Sequence, residues 1–410
     1  LTPRGILSDL FETAVQAAQP SQCLAPYLEP FAGHAGRCIV IGAGKASAAM
    51  AEAVEAHWPG RLEGLVITRH GYARPTKFIE IIDADHPVPG ETGRAAAVRM
   101  LEMVSDLTPD DLVICLLSGG GSALLTLPAK GISLAAKQEL TASLLASGAP
   151  IGDMNTVRKH ISAIKGGRLA AHLRPAKLLT LAISDVAGDD LSVIASGPTV
   201  PDPTTSADAR AVIARYAIDA PGEIDKALSE TPKPGDAAFA DDYALIIADA
   251  GRALEAAAAR ARELDVEPVI LGADLEGEAR DMATDMAAMA DAHAARPLVL
   301  LSGGEATVTL KGNGKGGPNT EFLLALALVL EGRGDAHAIA CDTDGIDGSE
   351  DNAGAYIGPD TLERARNIGL GAAAMLANND AHGFFAPLGD LIVTGPTYTN
   401  VNDFRAILLS

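Results

Sequence analysis

The 410-residue chain is poor in aromatic residues (4%), holds four cysteines, and carries 32 Lys and Arg against 53 Asp and Glu. Each shortage removes a class of protein. Cys23, Cys38, Cys115 and Cys341 show no metal-ligand spacing, and Cys38, Cys115 and Cys341 lie inside apolar runs where cysteine acts as a small core hydrophobe. Neither a zinc module nor a disulfide scaffold is expected, and a reduced, cytoplasmic setting follows. The net charge of −21 repels polyphosphate backbones and anionic membranes, so nucleic acid and membrane are not the expected partners. The longest apolar run, FLLALALVL at 322–330, is well short of the roughly 18 residues that a membrane helix needs.

What is abundant points to an α/β protein. The chain is 48% hydrophobic and has 42 glycines, which suits small-residue helices packed on sheets. At about 150 residues per domain, two domains are expected. SDLFETAVQAA reads as an amphipathic helix over 8–18, with Ser8 as its cap. Strand and helix patterns then alternate: RCIVIGAG, GLVITR, FIEIID, DLVICLLSGGG and KLLTLAISD, later YALIIADAG, EPVILG, PLVLLSGGE, HAIACDTDG and DLIVTGP. Such alternation predicts mostly parallel or mixed sheets covered by helices on both faces, the first Rossmann-like. The Pro-rich, acidic stretch 229–242 marks the boundary, giving domains over 1–235 and 240–410, with the first helix free to dock on the second.

Two apolar runs end in the same way, LLSGGGSALL at 116–125 and LLSGGEATVTL at 300–310. A strand running into bare glycines offers backbone N–H groups to an anion. Earlier, VIGAGKAS puts Lys45 at a small-residue turn where a phosphate could approach a helix N-terminus. It fails as a Walker loop, because Ile39 and Ala46 stand where Gly and Ser or Thr are required. As a dinucleotide fingerprint it lacks the third glycine, replaced by Ser47. NTVRKHISAIKGGRLA at 155–170 sets Arg158, Lys159, Lys165 and Arg168 beside an apolar stripe, a reversal of charge in an acidic chain. Acidic clusters close two strands, Asp185, Asp189 and Asp190 in one and Asp342, Asp344 and Asp347 in the other. Such groups suit Mg²⁺ with a nucleotide, or a base for a hydroxyl proton; Asx turns are the alternative.

Taken in order, VIGAGKAS, LLSGGGSAL, NTVRKHISAIKGGRLA, ISDVAGDD, IASGPTVPDPTT, LSGGEATVTLKGNGKGG, DTDGIDG and GDLIVTGPTYTNVND resemble the glycerate 2-kinase family, whose second half is called the MOFRL domain. The resemblance spans nearly the whole chain. It implies ATP-dependent phosphorylation of the 2-hydroxyl of D-glycerate, in a cleft between two α/β domains, with Mg²⁺ as the metal and glycerate and ATP as the small-molecule partners. A homodimer stays possible. By position it implies catalytic roles for Lys45, Arg158, Asp185 and Asp189. Substrate or phosphate contacts would come from Gly44, Ser118, Gly119, Gly120, Gly121, Ser122, Asn155, Lys159, Ser302, Gly303, Glu305, Thr394 and Thr397. Metal ligands would come from Asp185, Asp189, Asp344 and Asp347. Pro318 and Tyr398 depart from the usual family residues, arginine and glycine. Relatives of this family have also been labelled hydroxypyruvate reductase, so an NAD(P)H-dependent reductase is the alternative, with Arg69 as the residue that would read a 2′-phosphate. A non-catalytic sugar-acid-binding protein is the third class.

Overall fold

The computed structural model describes residues 1–293 and 296–410. It divides into two compact units, a central one of Pro20–Ile247 and a terminal one that joins Leu1–Gln19 to Ala248–Ser410.

The central unit is built on strands β1 (Cys38–Ala43), β2 (Glu63–Arg69), β3 (Ile79–Ala84), β4 (Leu112–Leu117), β5 (Lys177–Ile183) and β6 (Tyr243–Ala248), in the order β3-β2-β1-β4-β5-β6. β1 pairs in parallel with both β2 and β4. All six residues of β1 and all six of β4 are buried, so these strands read as unbroken apolar runs and not as alternating ones. Ile39, Ile41, Val113 and Cys115 share a core with Ala96, Met100 and Leu169, while helix Ser47–His57 packs on β1, β2 and β4. The order reverses direction between β1 and β4, which opens a crevice beyond their carboxyl ends. Since YALIIADAG supplies β6 beside β5, the chain leaves this unit after that strand. The Pro-rich segment 229–242 is therefore a connection to an edge strand.

Helix Leu134–Ala146 and helix Ile151–His160 form a satellite core through Leu140, Leu144, Met154 and Val157. The helical pattern expected through 155–170 stops at His160. Beyond it the backbone bonds elsewhere, with Ala163 N–H donating to Leu127 O and Gly166 N–H to Ser196 O, and Gly166 and Gly167 turn at φ 58° and 80°.

The terminal unit contains β7 (Glu267–Gly272), β8 (Gly277–Glu278), β9 (Leu298–Ser302), β10 (Ala306–Thr307), β11 (Ala336–Asp342), β12 (Gly354–Ile357), β13 (Leu391–Ile392) and β14 (Asp403–Leu409). Its main sheet runs β13-β12-β11-β14-β9-β7, and β8 and β10 make a small separate pair. Only the β7–β9 ladder of the main sheet is parallel, so this sheet is mixed and mainly antiparallel. Two of its strands, β12 and β14, fall outside those expected from the sequence: β12 is only four residues long, and β14 lacks the Gly/Ser punctuation that marked the others. The first helix starts at Pro3, not at Ser8: Thr2 Oγ1 accepts from Gly5 N–H (3.1 Å) and Pro3 takes the first helical position. Its stripe of Leu7, Leu10, Phe11, Ala14 and Val15 is buried within the terminal unit, where it packs on helix Ala250–Glu263.

Gly44 shows how tightly the β1 and β4 turns approach each other, because a Cβ there would lie 2.1 Å from Ser118 Oγ. Gly44→Ala should therefore cost on the order of 3 kcal/mol through overpacking. Gly33, whose Cβ would meet nothing within 4 Å, provides the control. Thermal melts should show Gly44→Ala lower by several degrees and Gly33→Ala within a degree or so of wild type.

Candidate functional site

At the carboxyl edge of the central sheet the two Gly-rich turns are bound to each other. Ser118 Oγ accepts from Ala46 N–H (3.0 Å) and lies 3.3 Å from Ser47 Oγ, which donates to Leu116 O (3.1 Å). Lys45 N–H donates to Gly119 O (2.8 Å). Ser118 is fully buried. Its role is to fasten the turns, and with Gly119 it fills the end of helix Ser47–His57 where a pyrophosphate would otherwise accept those hydrogens.

Next to this clamp lies a cavity of about 190 Å³, lined among others by His86, Gly120, Ser122, Lys137, Arg158 and Lys165. Among the described residues no carboxylate lines it. Lys137 is 2% exposed and Lys165 1%. Their ammonium groups donate only to neutral oxygens, Lys137 to Thr126 Oγ1 (2.6 Å) and Lys165 to Ala195 O (3.2 Å). Burial, with the Arg158 charge beside it, pushes Lys137 down to about 7. Burial, Lys137 and Arg158 together push Lys165 well below the usual lysine range, and burial lowers Arg158. Three basic side chains gathered with no carboxylate among the described lining residues, two of them lysines that an arriving anion would recharge, suit an anion in a chain of net charge −21.

Lys137 reaches the cavity because it sits on the buried stripe of its helix, at i with Leu140 and Leu144 at i+3 and i+7. Lys165 arrives on the irregular segment after His160. Gly120 is in the left-handed region at φ 80°, and a Cβ there would lie 2.9 Å from His86 Nε2 and 3.4 Å from Lys45 Cγ. That turn therefore brings Lys45 and His86 against one glycine. Behind the cavity Ser122 Oγ meets Ser196 Oγ at 2.7 Å, and Ser196 donates to Asn155 Oδ1 at 3.2 Å. Asn155 thus positions the hydroxyl pair from one turn above Arg158 on the same helix. Two wider cavities of the central unit, about 620 and 660 Å³, include residues at the starts of strands, Cys38 and Glu63 in one, Lys177 and Tyr243 in the other. In open α/β sheets ligands sit at the other edge. Two of their arginines are also neutralised, Arg37 by Glu63 and Arg174 by Asp242.

Several expected site residues lie outside the lining of this cavity. Lys159 points away from Arg158, as successive helical residues do, and forms a buried ion pair with Asp202 (3.3 Å). Asp185 is half-buried at the end of β5 and Asp189 exposed at φ 54°, while Asp190 Oδ1 accepts from Ser192 N–H. In the terminal unit Asp347 is a helix cap: its two oxygens accept from Asn319 N–H and Thr320 N–H (both 2.9 Å) at the start of helix Pro318–Val329. Burial raises its carboxyl to about 6. Asp344 accepts from Ile346 N–H (2.9 Å), an Asx turn. Both Asp347 oxygens are thus taken by backbone N–H groups, and among the described residues no group of three or more His, Cys, Asp or Glu is placed to hold a metal, at Asp185 and Asp189 as at Asp344 and Asp347. The second Ser-Gly-Gly turn is closed as well: Ser302 is fully buried, Gly303 N–H donates to Gly272 O, and Gly303 O accepts from Arg405. Glu305 N–H donates to Leu275 O, Thr394 Oγ1 to Gly395 O and Thr397 Oγ1 to Thr343 O. Pro318 holds the first position of its helix, where its missing N–H costs nothing. Tyr398 takes φ 63° in a turn that glycine would fit without strain.

One polar network escaped the sequence reading. Arg405, fully buried, pairs with Asp403, whose other oxygen accepts from Asn319 Nδ2 (2.6 Å) beside the Asp347 cap. An alternating ionic pair two residues apart in an apolar C-terminal strand was its only signal.

Residues 6–229 match a domain of unknown function, DUF4147, and residues 298–403 match the MOFRL family. D-glycerate 2-kinase of Thermotoga maritima is 37% identical over 96% of this chain and 95% of its own. A putative hydroxypyruvate reductase of Agrobacterium vitis is 52% identical, over 100% of this chain and 95% of its own. The crystal structure of the Thermotoga maritima glycerate kinase superposes with a TM-score of 0.91 at 36% identity, covering 99% of each chain. The chain belongs to the MOFRL-type glycerate 2-kinase family.

Two outcomes follow from these geometries. An anion entering the cavity must recharge Lys137, so binding takes up a proton, and affinity for a small anion should fall by up to about tenfold per pH unit above pH 7 on account of this residue, a slope that Lys137→Met lessens. The sign for ligand-free stability is opposite: between about pH 7 and 10 the unfolded chain binds more protons at this residue, so stability rises with pH. Calorimetric titration and melts across that range read both. Asp347→Ala should lower the melting temperature, through loss of a cap worth about 2 kcal/mol, and leave the Mg²⁺ concentration for half-maximal activity unchanged.

Proposed function

We propose that the protein is a glycerate 2-kinase, transferring the γ-phosphoryl group of ATP to the 2-hydroxyl of D-glycerate to give 2-phosphoglycerate. The observation that carries this reading is the small cavity with three cations and no carboxylate at the switch between β1 and β4. It suits a compact carboxylic acid and the charge of a transferring phosphoryl group, and kinase relatives match the chain over nearly its full length.

Phosphoryl transfer depends on positioning and charge neutralisation. Arg158 offers a planar fork to the acid's carboxylate, and Lys137 and Lys165 supply charge behind it. Lys45, held against Gly120, is the cation for the transferring group. Mg²⁺ commonly takes one or two carboxylates and completes its shell with phosphates and water. Asp185 and Asp189 fit that requirement, lying on one tight loop at the same sheet edge, closed by Asp189 N–H to Val186 O (3.1 Å). Asp347, with both oxygens capping a helix, does not fit. When bound, the metal would neutralise charge on the nucleotide phosphates.

The reductase reading has a specific observation in its favour, the label carried by the Agrobacterium vitis relative. Two features of the central unit oppose it. The N-terminus of helix Ser47–His57, where a dinucleotide pyrophosphate would lie, is closed by Ser118, and Arg69 lies over the Tyr72 ring, 4.8 Å from its centroid.

With glycerate, ATP and Mg²⁺, an enolase-coupled assay should detect 2-phosphoglycerate, and hydroxypyruvate should not oxidise NADPH. Lys45→Met should lower kcat by on the order of 10²-fold or more, and Arg158→Ala should raise KM for glycerate by roughly tenfold or more. NADPH oxidation without ATP turnover would reverse the assignment.

A further inference from the structure

Glycerate differs from other small 2-hydroxy acids by the hydroxyl on its third carbon, and the cavity holds one oriented group for it. Ser196 Oγ has a single proton and gives it to Asn155 Oδ1 (3.2 Å). At the 2.7 Å contact between the two hydroxyls Ser122 Oγ must therefore be the donor. With its proton committed inward, what Ser122 offers the cavity it lines is a lone pair.

Three separate segments hold this chain of hydrogen bonds. Ser122 stands in the short helix Gly121–Leu124 after β4, Ser196 closes the 3₁₀ turn Ile194–Ser196, and Asn155 lies on helix Ile151–His160. Ser196 is fully buried and Asn155 nearly so. Reversing the order would take the donor away from a buried amide oxygen, which protein interiors rarely tolerate.

The cations in the lining, Lys137, Arg158 and Lys165, can only donate hydrogen bonds when charged. They suit a carboxylate and the charge of a phosphoryl group, but a hydroxyl also needs an acceptor for its proton. Thr141, the other hydroxyl of the lining, gives its proton to Lys137 O (2.8 Å) within their common helix. Ser122 instead follows two residues after Gly120, the turn that approaches Lys45 Cγ. Its chain ends on an amide, which has no place for a further proton at working pH. Ser122 therefore cannot draw the proton from the reacting 2-hydroxyl, and its lone pair suits a hydroxyl that keeps its proton throughout. In glycerate that is the 3-hydroxyl.

Resting on the glycerate kinase assignment, we infer that Ser122 determines specificity by accepting a hydrogen bond from the 3-hydroxyl of glycerate, with Ser196 and Asn155 as positioning residues that fix its direction. The pocket then selects 2-hydroxy acids that carry a hydrogen-bond donor on the third carbon.

Calorimetric titration, with Mg²⁺ and a non-hydrolysable ATP analogue present, tests this with three acids. D-Glycerate can donate at the third carbon, D-lactate has a methyl group there, and the 3-fluoro acid of matching configuration can accept but not donate. Wild type should bind glycerate about tenfold or more tightly than lactate, and the fluoro acid within about threefold of lactate. Ser122→Ala should cut the glycerate-to-lactate ratio by about fivefold or more, chiefly by weakening glycerate. Thr141→Val should keep the ratio. Asn155→Asp should keep it too, because its carboxylate still accepts from Ser196 and its charge weakens both acids alike. A fluoro acid that binds like glycerate overturns the inference, since the wall then donates to the third carbon. It is equally overturned by wild type that does not distinguish glycerate from lactate, by a smaller fall in Ser122→Ala, or by loss of the ratio in Thr141→Val or Asn155→Asp. If Ser122→Ala does not fold, the three acids on wild type and Asn155→Asp decide. The enolase-coupled assay on the same wild-type protein separates the two failures. Absence of 2-phosphoglycerate sinks the kinase assignment, whereas product formation with an unaltered ratio in Ser122→Ala sinks the role of Ser122 alone.

Discussion

The hydrogen bond from Ala46 N–H to Ser118 Oγ holds the active edge of the central unit together. It joins the turn after β1 to the turn after β4 at the one point where the strand order reverses. Gly44 must be bare for it to form, and Ser47 supports it from below through Leu116 O. Because the clamp fixes where the 118–122 turn leaves β4, it also fixes Gly120 against His86 and Lys45, and Ser122 against Ser196. A serine that seemed suited to a ligand thus serves the protein itself, and the cavity opens beside Gly120, further along the same turn.

Much of the central unit was legible because its buried strands are apolar runs cut off by glycine and serine. The same signal failed in the terminal unit. β14 begins with Asp403 and carries Arg405, charges that only a paired interior tolerates, and β12 is only four residues long, too short to show a period. The two Ser-Gly-Gly turns looked alike in sequence, yet Gly303 and Gly304 are closed by neighbouring backbone while Gly120 faces a cavity. Local sequence cannot distinguish these cases, since what occupies a turn is set by strands far away in the chain.

The charged residues teach a similar lesson. A carboxylate at a strand end reads the same whether it binds a metal or caps a helix, and Asp347 proved to cap. Arg158 stood out in its basic cluster, but its neighbour Lys159 belongs to Asp202. Lys137 left a trace that can be recognised: a lysine placed on an apolar helical stripe, where a cation has no reason to be unless something negative arrives.

The terminal unit is assembled from both ends of the chain, with helix Pro3–Ala17 packed beside β11 and β14. During synthesis that helix is made before the whole of the central unit, and β14 after it. At about 5–20 residues per second, roughly 20–80 s separate them. For that interval the apolar stripe of Leu7, Leu10, Phe11 and Val15 has no permanent partner, while the central unit, encoded entirely in between, can finish folding. Biogenesis of this enzyme thus depends on keeping one early amphipathic helix out of wrong associations until its sheet has been translated.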